Sequence, residues 1–316
     1  MSSRISLSAA LAAAVTAAGC AVPLAPPPAV APTPSEMAQF WVEPADLAER
    51  DLFAGPWGLD YAPDPAFSYR FDEVKKQGML TGFSPGYIVR GPGDVEWSAK
   101  QGPEAQAEVT ASRLVWALGF HQPPVYFLEK WTLVGGPNPG PQTRARFRPD
   151  NKKELDKVGG WGWQSNPFRA TEPYRGLMVM MIMLNNSDLK SSQNAIYDLK
   201  KPREGASRWY VVRDLGHSFG ETGKFGADRN DIHEFETEVF TRGVSSGKVK
   251  FNWSGFHKEL VSELTPADVR WTAERLARLS DKQWEDAFRA GGYEPELAQR
   301  YIRRFKEKVA EGLALR

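Results

Sequence analysis

Cysteine is all but missing from this chain of 316 residues: there is one, Cys20. A single thiol excludes an internal disulfide, a multi-cysteine zinc cluster and a CxxC redox pair. Histidine is scarce as well, and His121, His217, His233 and His257 show no HExxH-type spacing. Excess charge of either sign is absent. Forty Lys and Arg stand against 39 Asp and Glu, a net charge of +1, which excludes a protein held to nucleic acid by bulk charge. Long apolar runs are missing beyond the amino terminus: the longest, Leu177 to Leu184, has eight residues and belongs in a core rather than a bilayer. What is present is a globular composition, 41% hydrophobic and 12% aromatic, enough to bury one large core or two modest ones.

The amino terminus has a different character. In MSSRISLSAALAAAVTAAG (residues 1–19) Arg4 is followed by about fifteen small or apolar residues, too few for a permanent span but suited to a secretory signal. The run ends in Ala17-Ala18-Gly19-Cys20, which resembles a bacterial lipobox, so the only cysteine stands where lipidation requires it. The resemblance implies a signal peptide over 1–19, a lipidated Cys20 and a membrane-anchored extracytoplasmic protein. With Ala21 rather than Asp after the cysteine, the outer membrane is the expected destination in a Gram-negative cell. Residues 20–36 hold Pro23, Pro26, Pro27, Pro28, Pro32 and Pro34, a density that favours an extended polyproline tether standing the body off the membrane.

In the body, residues 40–85 read as loops. Residues 86–101 read as two strands about Gly91-Pro92-Gly93-Asp94. Pro103 opens a helix that Gly119 closes, and 124–134 read as one or two strands. Residues 135–172, rich in Gly, Pro, Trp and basic side chains, read as the connection between lobes. A short apolar helix, strands at AIYDL and RWYVVRD, and three helices after Thr265 complete the chain. Strands with one helix, then mostly helices, predict a two-lobed α+β fold: a strand-rich lobe over 37–145 and a mainly helical lobe over 146–316.

The candidate chemistry lies in four places: Trp97-Ser98-Ala99-Lys100 at a strand end; Glu104 and Glu108 four apart on the next helix; Asp188-Leu189-Lys190 with Gln193-Asn194 in a loop; and Asp214-Leu215-Gly216 after a strand. Together they resemble the protein-kinase-like superfamily, in its atypical secreted and toxin-type branches. That resemblance implies phosphoryl transfer from Mg²⁺–ATP or a related nucleotide, a reaction governed by positioning and charge neutralisation. It implies that Lys100 grips the phosphates beside a helix carboxylate, with Glu108, deeper in the helix, favoured over Glu104. Asp188 takes the proton of the attacking hydroxyl, and Lys190 steadies the transferred group. Asn194 or Gln193, with Asp214, supplies oxygen to Mg²⁺, and Gly91 and Gly93 are what remains of a glycine-rich phosphate loop. Asn-Ser-Asp stands in place of His-Arg-Asp, and no Ala-Pro-Glu follows Asp214. The acceptor, protein or small molecule, is open. A binding-only envelope scaffold that keeps the cleft without catalysis is the alternative.

Other features are weaker. Gly243-Val244-Ser245-Ser246-Gly247 matches GxSxG but precedes a strand, where a nucleophile elbow would follow one. His233 reads as part of a solvated loop. Trp161 and Trp163 read as cover for a core, and Met178, Met180, Met181 and Met183 as adaptable core filling.

Overall fold

The computed structural model describes residues 24–74, 85–150, 152–223 and 228–316; the expected signal peptide and Cys20 lie outside them. The architecture is α+β. Part of the proline-rich stretch rests on the body instead of standing off it. Ala25 N donates to Gln164 Oε1 at 3.3 Å, Arg169 donates to Ala25 O, and Thr33 then caps a one-turn helix, α1 (Pro34–Met37).

Five strands follow: β1 (Ser68–Phe71), β2 (Gly86–Arg90), β3 (Glu96–Gln101), β4 (Tyr126–Val134) and β5 (Gly140–Pro149). They close into a barrel in the order β1-β2-β3-β5-β4. Neighbours are antiparallel except β1 and β4, whose parallel pairing sets Ser68 opposite Thr132. Alternation along each strand decides which side chains enter. Tyr69, Val89, Trp97, Ala99, Trp131 and Phe147 fill the barrel, which leaves Ser98 and Lys100 on its outer surface. The strand β5 continues through Arg146 and Arg148 to Pro149, past the division expected at 145/146.

Between β3 and β4 runs α2 (Glu104–Ala117), as Pro103 and Gly119 foretell. All fourteen of its residues are buried. One side lies on the barrel; the other contributes Ala107, Ala111, Leu114, Val115 and Trp116 to the main core. The stretch expected to be a connection holds a second strand, β6 (Leu155–Gly159), besides the whole of β5. It forms an antiparallel sheet in the order β6-β7-β8 with β7 (Asn194–Arg203) and β8 (Ala206–Val212). The apolar helix α3 (Glu172–Met183) precedes β7 and buries its methionines in the main core together with Trp161 and Trp163.

After β8 come α4 (Ile232–Thr237), β9 (Thr241–Ser245), β10 (Lys248–Phe251), α5 (Lys258–Val261), α6 (Pro266–Leu276), α7 (Asp281–Ala290) and α8 (Pro295–Ala314). The GxSxG segment is the end of β9 and the turn into β10, so it is not a strand-to-helix elbow. His233 sits in the first turn of α4, which Asp231 caps. Among the described residues no helix is long and apolar enough to cross a membrane.

Candidate active site

Lys100, at the end of β3, points outward to α2. Its Nζ lies 2.5 Å from Glu104 Oε2, 3.6 Å from Glu108 Oε2 and 3.1 Å from Asp214 Oδ1. Both helix carboxylates therefore reach the lysine, and Glu104 is the nearer. Glu108 is divided among several cations: its Oε1 also lies 3.0 Å from Arg146 Nε and 3.1 Å from Arg148 Nη1. Glu104 Oε1 lies 2.7 Å from Arg229 Nε. The Asp214-Leu215-Gly216 segment can approach α2 this closely because residue 216 is glycine. A Cβ there would lie 2.8 Å from Glu104 Cβ.

The loop carrying Asp188 is laced to the segment after Asp214. Phe219 N donates to Leu184 O at 2.8 Å, Asn186 Nδ2 to Ser218 Oγ at 3.3 Å, and Ser187 Oγ lies 2.9 Å from His217 Nε2. Lys308, fully buried on α8, donates to Met183 O at 3.0 Å and Asn185 Oδ1 at 2.7 Å and so fixes the start of the loop. Within the loop, Lys190 Nζ is 2.8 Å from Asp188 Oδ1, and Gln193 Nε2 donates to Asp188 Oδ2 at 2.8 Å.

Asn194 stands opposite Val212, two residues before Asp214. Its Nδ2 donates to Trp161 O at 3.2 Å, while its Oδ1 is buried and has no hydrogen-bond donor. Of the adjacent amides, Gln193 reaches Asp188, and Asn194 offers an oxygen no protein group occupies.

Electrostatics sharpen the picture. Burial works to raise the Asp214 pKa, but Lys100, Arg148 and Arg146 overcome it and hold the carboxyl down at about 2. Burial works to lower the pKa of Lys100, and Glu108, Asp214 and Glu104 raise it above its usual value. His217 goes the other way. Burial, then Arg229 and Lys190, push it down to about 4 against the pull of Asp188 and Asp214. The hydrogen bonds explain why. Ser187 Oγ donates to Gly223 O at 2.7 Å, so His217 carries its proton on Nε2. A second proton on the buried, unpartnered Nδ1 would find no acceptor.

Among the described residues no group of three or more His, Cys, Asp and Glu is placed to hold a metal ion by itself. An ionised Asp214 and the orphaned Asn194 Oδ1 do fit a hard cation that completes its shell with phosphate oxygens and water.

Gly91 and Gly93 are not part of this cluster. The β2–β3 register pairs Gly86 with Lys100 and Arg90 with Glu96, so the glycine turn caps the opposite end of the hairpin. From Glu96 to Lys100 is roughly 13 Å along the strand. Gly91 is instead needed for packing, since a Cβ there would meet the rings of Trp97 and Tyr69 at 2.8 Å. Composition hid Arg146, Arg148, Arg213 and Arg229. The one signal was the alternation of Arg144, Arg146 and Arg148 with Ala145 and Phe147, a strand pattern with one cationic face.

No family model matches the chain, and no curated protein matches it. Among solved structures it is similar to a Helicobacter pylori proinflammatory kinase, CtkA, at 8% identity over 72% of this chain and 89% of that one, with a TM-score of 0.37. It is also similar to the Golgi casein kinase, at 8% identity over 87% of this chain and 75% of that one, with a TM-score of 0.43. Both are distant likenesses of shape.

Proposed function

We propose that the cleft between β3, α2 and the residue 185–194 loop transfers a phosphoryl group from a Mg²⁺–nucleotide, ATP or GTP, to a hydroxyl acceptor. The supporting observation is the meeting of Lys100 with two helix carboxylates and Asp214, beside a second acidic loop. Phosphoryl transfer needs this kind of arrangement, with fixed positive charge at the phosphates and carboxylates for metal and proton. Lys100 exchanges its contact with Asp214 for the phosphates while Glu104 and Glu108 hold it in place. A bound Mg²⁺ would neutralise the polyphosphate, with Asp214 and the Asn194 oxygen as its protein ligands. Asp188 accepts the hydroxyl proton, oriented by Gln193, and Lys190 beside it supplies positive charge to the transferred group.

Three variants test this. Asp214→Ala and Lys100→Ala should abolish stabilisation by millimolar Mg–ATP as well as turnover. Asp188→Asn should keep nucleotide binding and lower turnover by about 10²–10⁴-fold. A wild type with no Mg-dependent nucleotide binding, and three variants that behave alike, would leave the binding-only scaffold.

The setting belongs to the same proposal: an extracytoplasmic protein held to the membrane by lipid on Cys20. Stable anchoring takes more than one acyl chain, as a lipidated amino-terminal cysteine provides. Cys20→Ser should move the protein from the membrane to the soluble fraction of cells. A Ser variant that still pellets with membranes, with no labelled palmitate in wild type, excludes the anchor.

A further inference from the structure

Next to Lys100 and Asp214 lies a cavity of about 280 Å³, between the outer face of the barrel and the β6-β7-β8 sheet. Ile88 and Ser98 floor it, and Arg148, Lys157, Tyr197 and Arg213 wall it. It borders the proposed site: Ser98 precedes Lys100 on the same face of β3, Arg148 shares Glu108 with Lys100, and Arg213 adjoins Asp214.

Three cations meet there. Lys157 stands directly opposite Tyr197 across the β6–β7 pair, Arg213 Nη1 donates to the Tyr197 hydroxyl at 3.3 Å, and Arg148 Nη1 lies 3.5 Å from Arg213 O. The carboxylates on the wall are turned to other cations: Glu96 to Arg90 at 3.0 Å, Asp150 to Lys152 at 3.4 Å. Glu108 already serves Lys100, Arg146 and Arg148. Arg213 Nε is buried without a hydrogen-bond acceptor. Arg213, then burial and Arg148, lower the pKa of Lys157, whereas Arg213 itself, despite its burial, is held above its usual value by Tyr197, Glu108 and Asp214.

A neutral ring placed against these groups would cover positive charge and compensate none of it. An anion would relieve the repulsion and satisfy the guanidinium forks. We propose that this cavity is a subsite for a phosphate-class anion, and that the small molecule using the cleft is held there by a negatively charged group. This deepens the phosphotransfer proposal by naming a charged anchor on the ligand. The anion could be the nucleotide's own phosphates or an anionic group on the acceptor.

The test uses inorganic pyrophosphate on the full chain without metal, read by calorimetry. Wild type should bind it. Lys157→Gln, an exposed and fold-neutral change, should weaken binding about tenfold, the value of one charge-assisted contact. Lys157→Arg should restore it, and Lys157→Gln with Arg213→Gln should remove it. Displacement of pyrophosphate by ATP but not by adenosine assigns the subsite to the nucleotide's phosphates. Simultaneous binding of Mg–ATP and pyrophosphate assigns it to the acceptor. A wild type that ignores pyrophosphate, or variants that bind it unchanged, overturns the subsite. If Mg–ATP binding that depends on Asp214 is present in that case, phosphotransfer stands alone. If pyrophosphate binds as expected while Mg–ATP has no effect, the subsite stands and phosphotransfer falls.

Discussion

At the scale of single residues, the heaviest structural demand falls on Glu108, which is 1% exposed and faces Lys100, Arg146 and Arg148. Removing one partner of a buried ion cluster leaves the other charges uncompensated and costs about 3–5 kcal/mol. Glu108→Gln should therefore destabilise the fold by that order in urea denaturation. Glu104→Gln should cost less, because Lys100 keeps Glu108 and Asp214. Equal midpoints for the two variants would show that Glu108 does not organise the cluster. His217 gives a second prediction, in the pH profile. Its folded pKa of about 4 lies below the usual 6.5, so between those values the unfolded chain binds the extra proton. Stability from this group is fully present above pH 6.5 and is lost as pH falls toward 4, by roughly 2–4 kcal/mol. His217→Gln should flatten the slope of unfolding free energy between pH 6.5 and 4. An unchanged slope in that variant would assign the acid sensitivity elsewhere.

At the scale of elements, α2 carries the candidate site on its first turns and the fold on its last. Trp116 is 8% exposed, its ring lies 4.8 Å from the Arg50 guanidinium, and Arg50 Nη1 donates to Trp116 O at 2.6 Å. Trp116→Ala should cost about 3–5 kcal/mol through the cavity it leaves. A melting temperature within a degree of wild type would mean that this end of the helix repacks freely. The helix was legible because proline and glycine bracket it. The β2–β3 hairpin, α3, β7, β8 and the three last helices were legible for similar reasons, in period and punctuation. β1 escaped because four residues hold too little alternation. β5 and β6 escaped because glycine and proline around them outweighed a period of two. At the site, the meeting of Lys100 with a helix carboxylate and Asp214 is what the kinase-like resemblance of these motifs implies. The arginines of β5 could not, because their role comes from barrel closure, which brings residues 146 and 148 against a helix some forty positions earlier. Gly91 and Gly93 misled because a hairpin turn and a phosphate loop share the same residue types; only register tells which end of the strand they occupy.

At the scale of the whole molecule, the barrel and the helical body have separate cores but share α2, and the shared helix sets how they unfold. Its residues contribute to the main core while its outer side lies on the barrel. Its polar groups also reach outward in both directions. Gln106 Nε2 donates to Gly292 O at 2.8 Å beyond α7, and Arg113 Nη2 donates to Val125 O at 2.8 Å at the foot of β4. Neither part can lose its packing without stripping one side of a helix that has no exposed face. A helix of fourteen residues is marginal on its own in water, so it melts once either side is lost. The two parts should therefore unfold together. Calorimetry should give one transition whose calorimetric and van't Hoff enthalpies agree, the mark of a two-state process. The barrel tryptophans Trp97 and Trp131 and the main-core tryptophans Trp163 and Trp284 should report the same midpoint when each is monitored alone. Two resolved transitions, with the barrel tryptophans melting apart from the rest, would show that α2 belongs to one part and merely touches the other. In that case the contact of Lys100 with Asp214 would join two parts that can move as rigid bodies. With a single transition, the contacts of Lys100 are built into the fold before any ligand arrives.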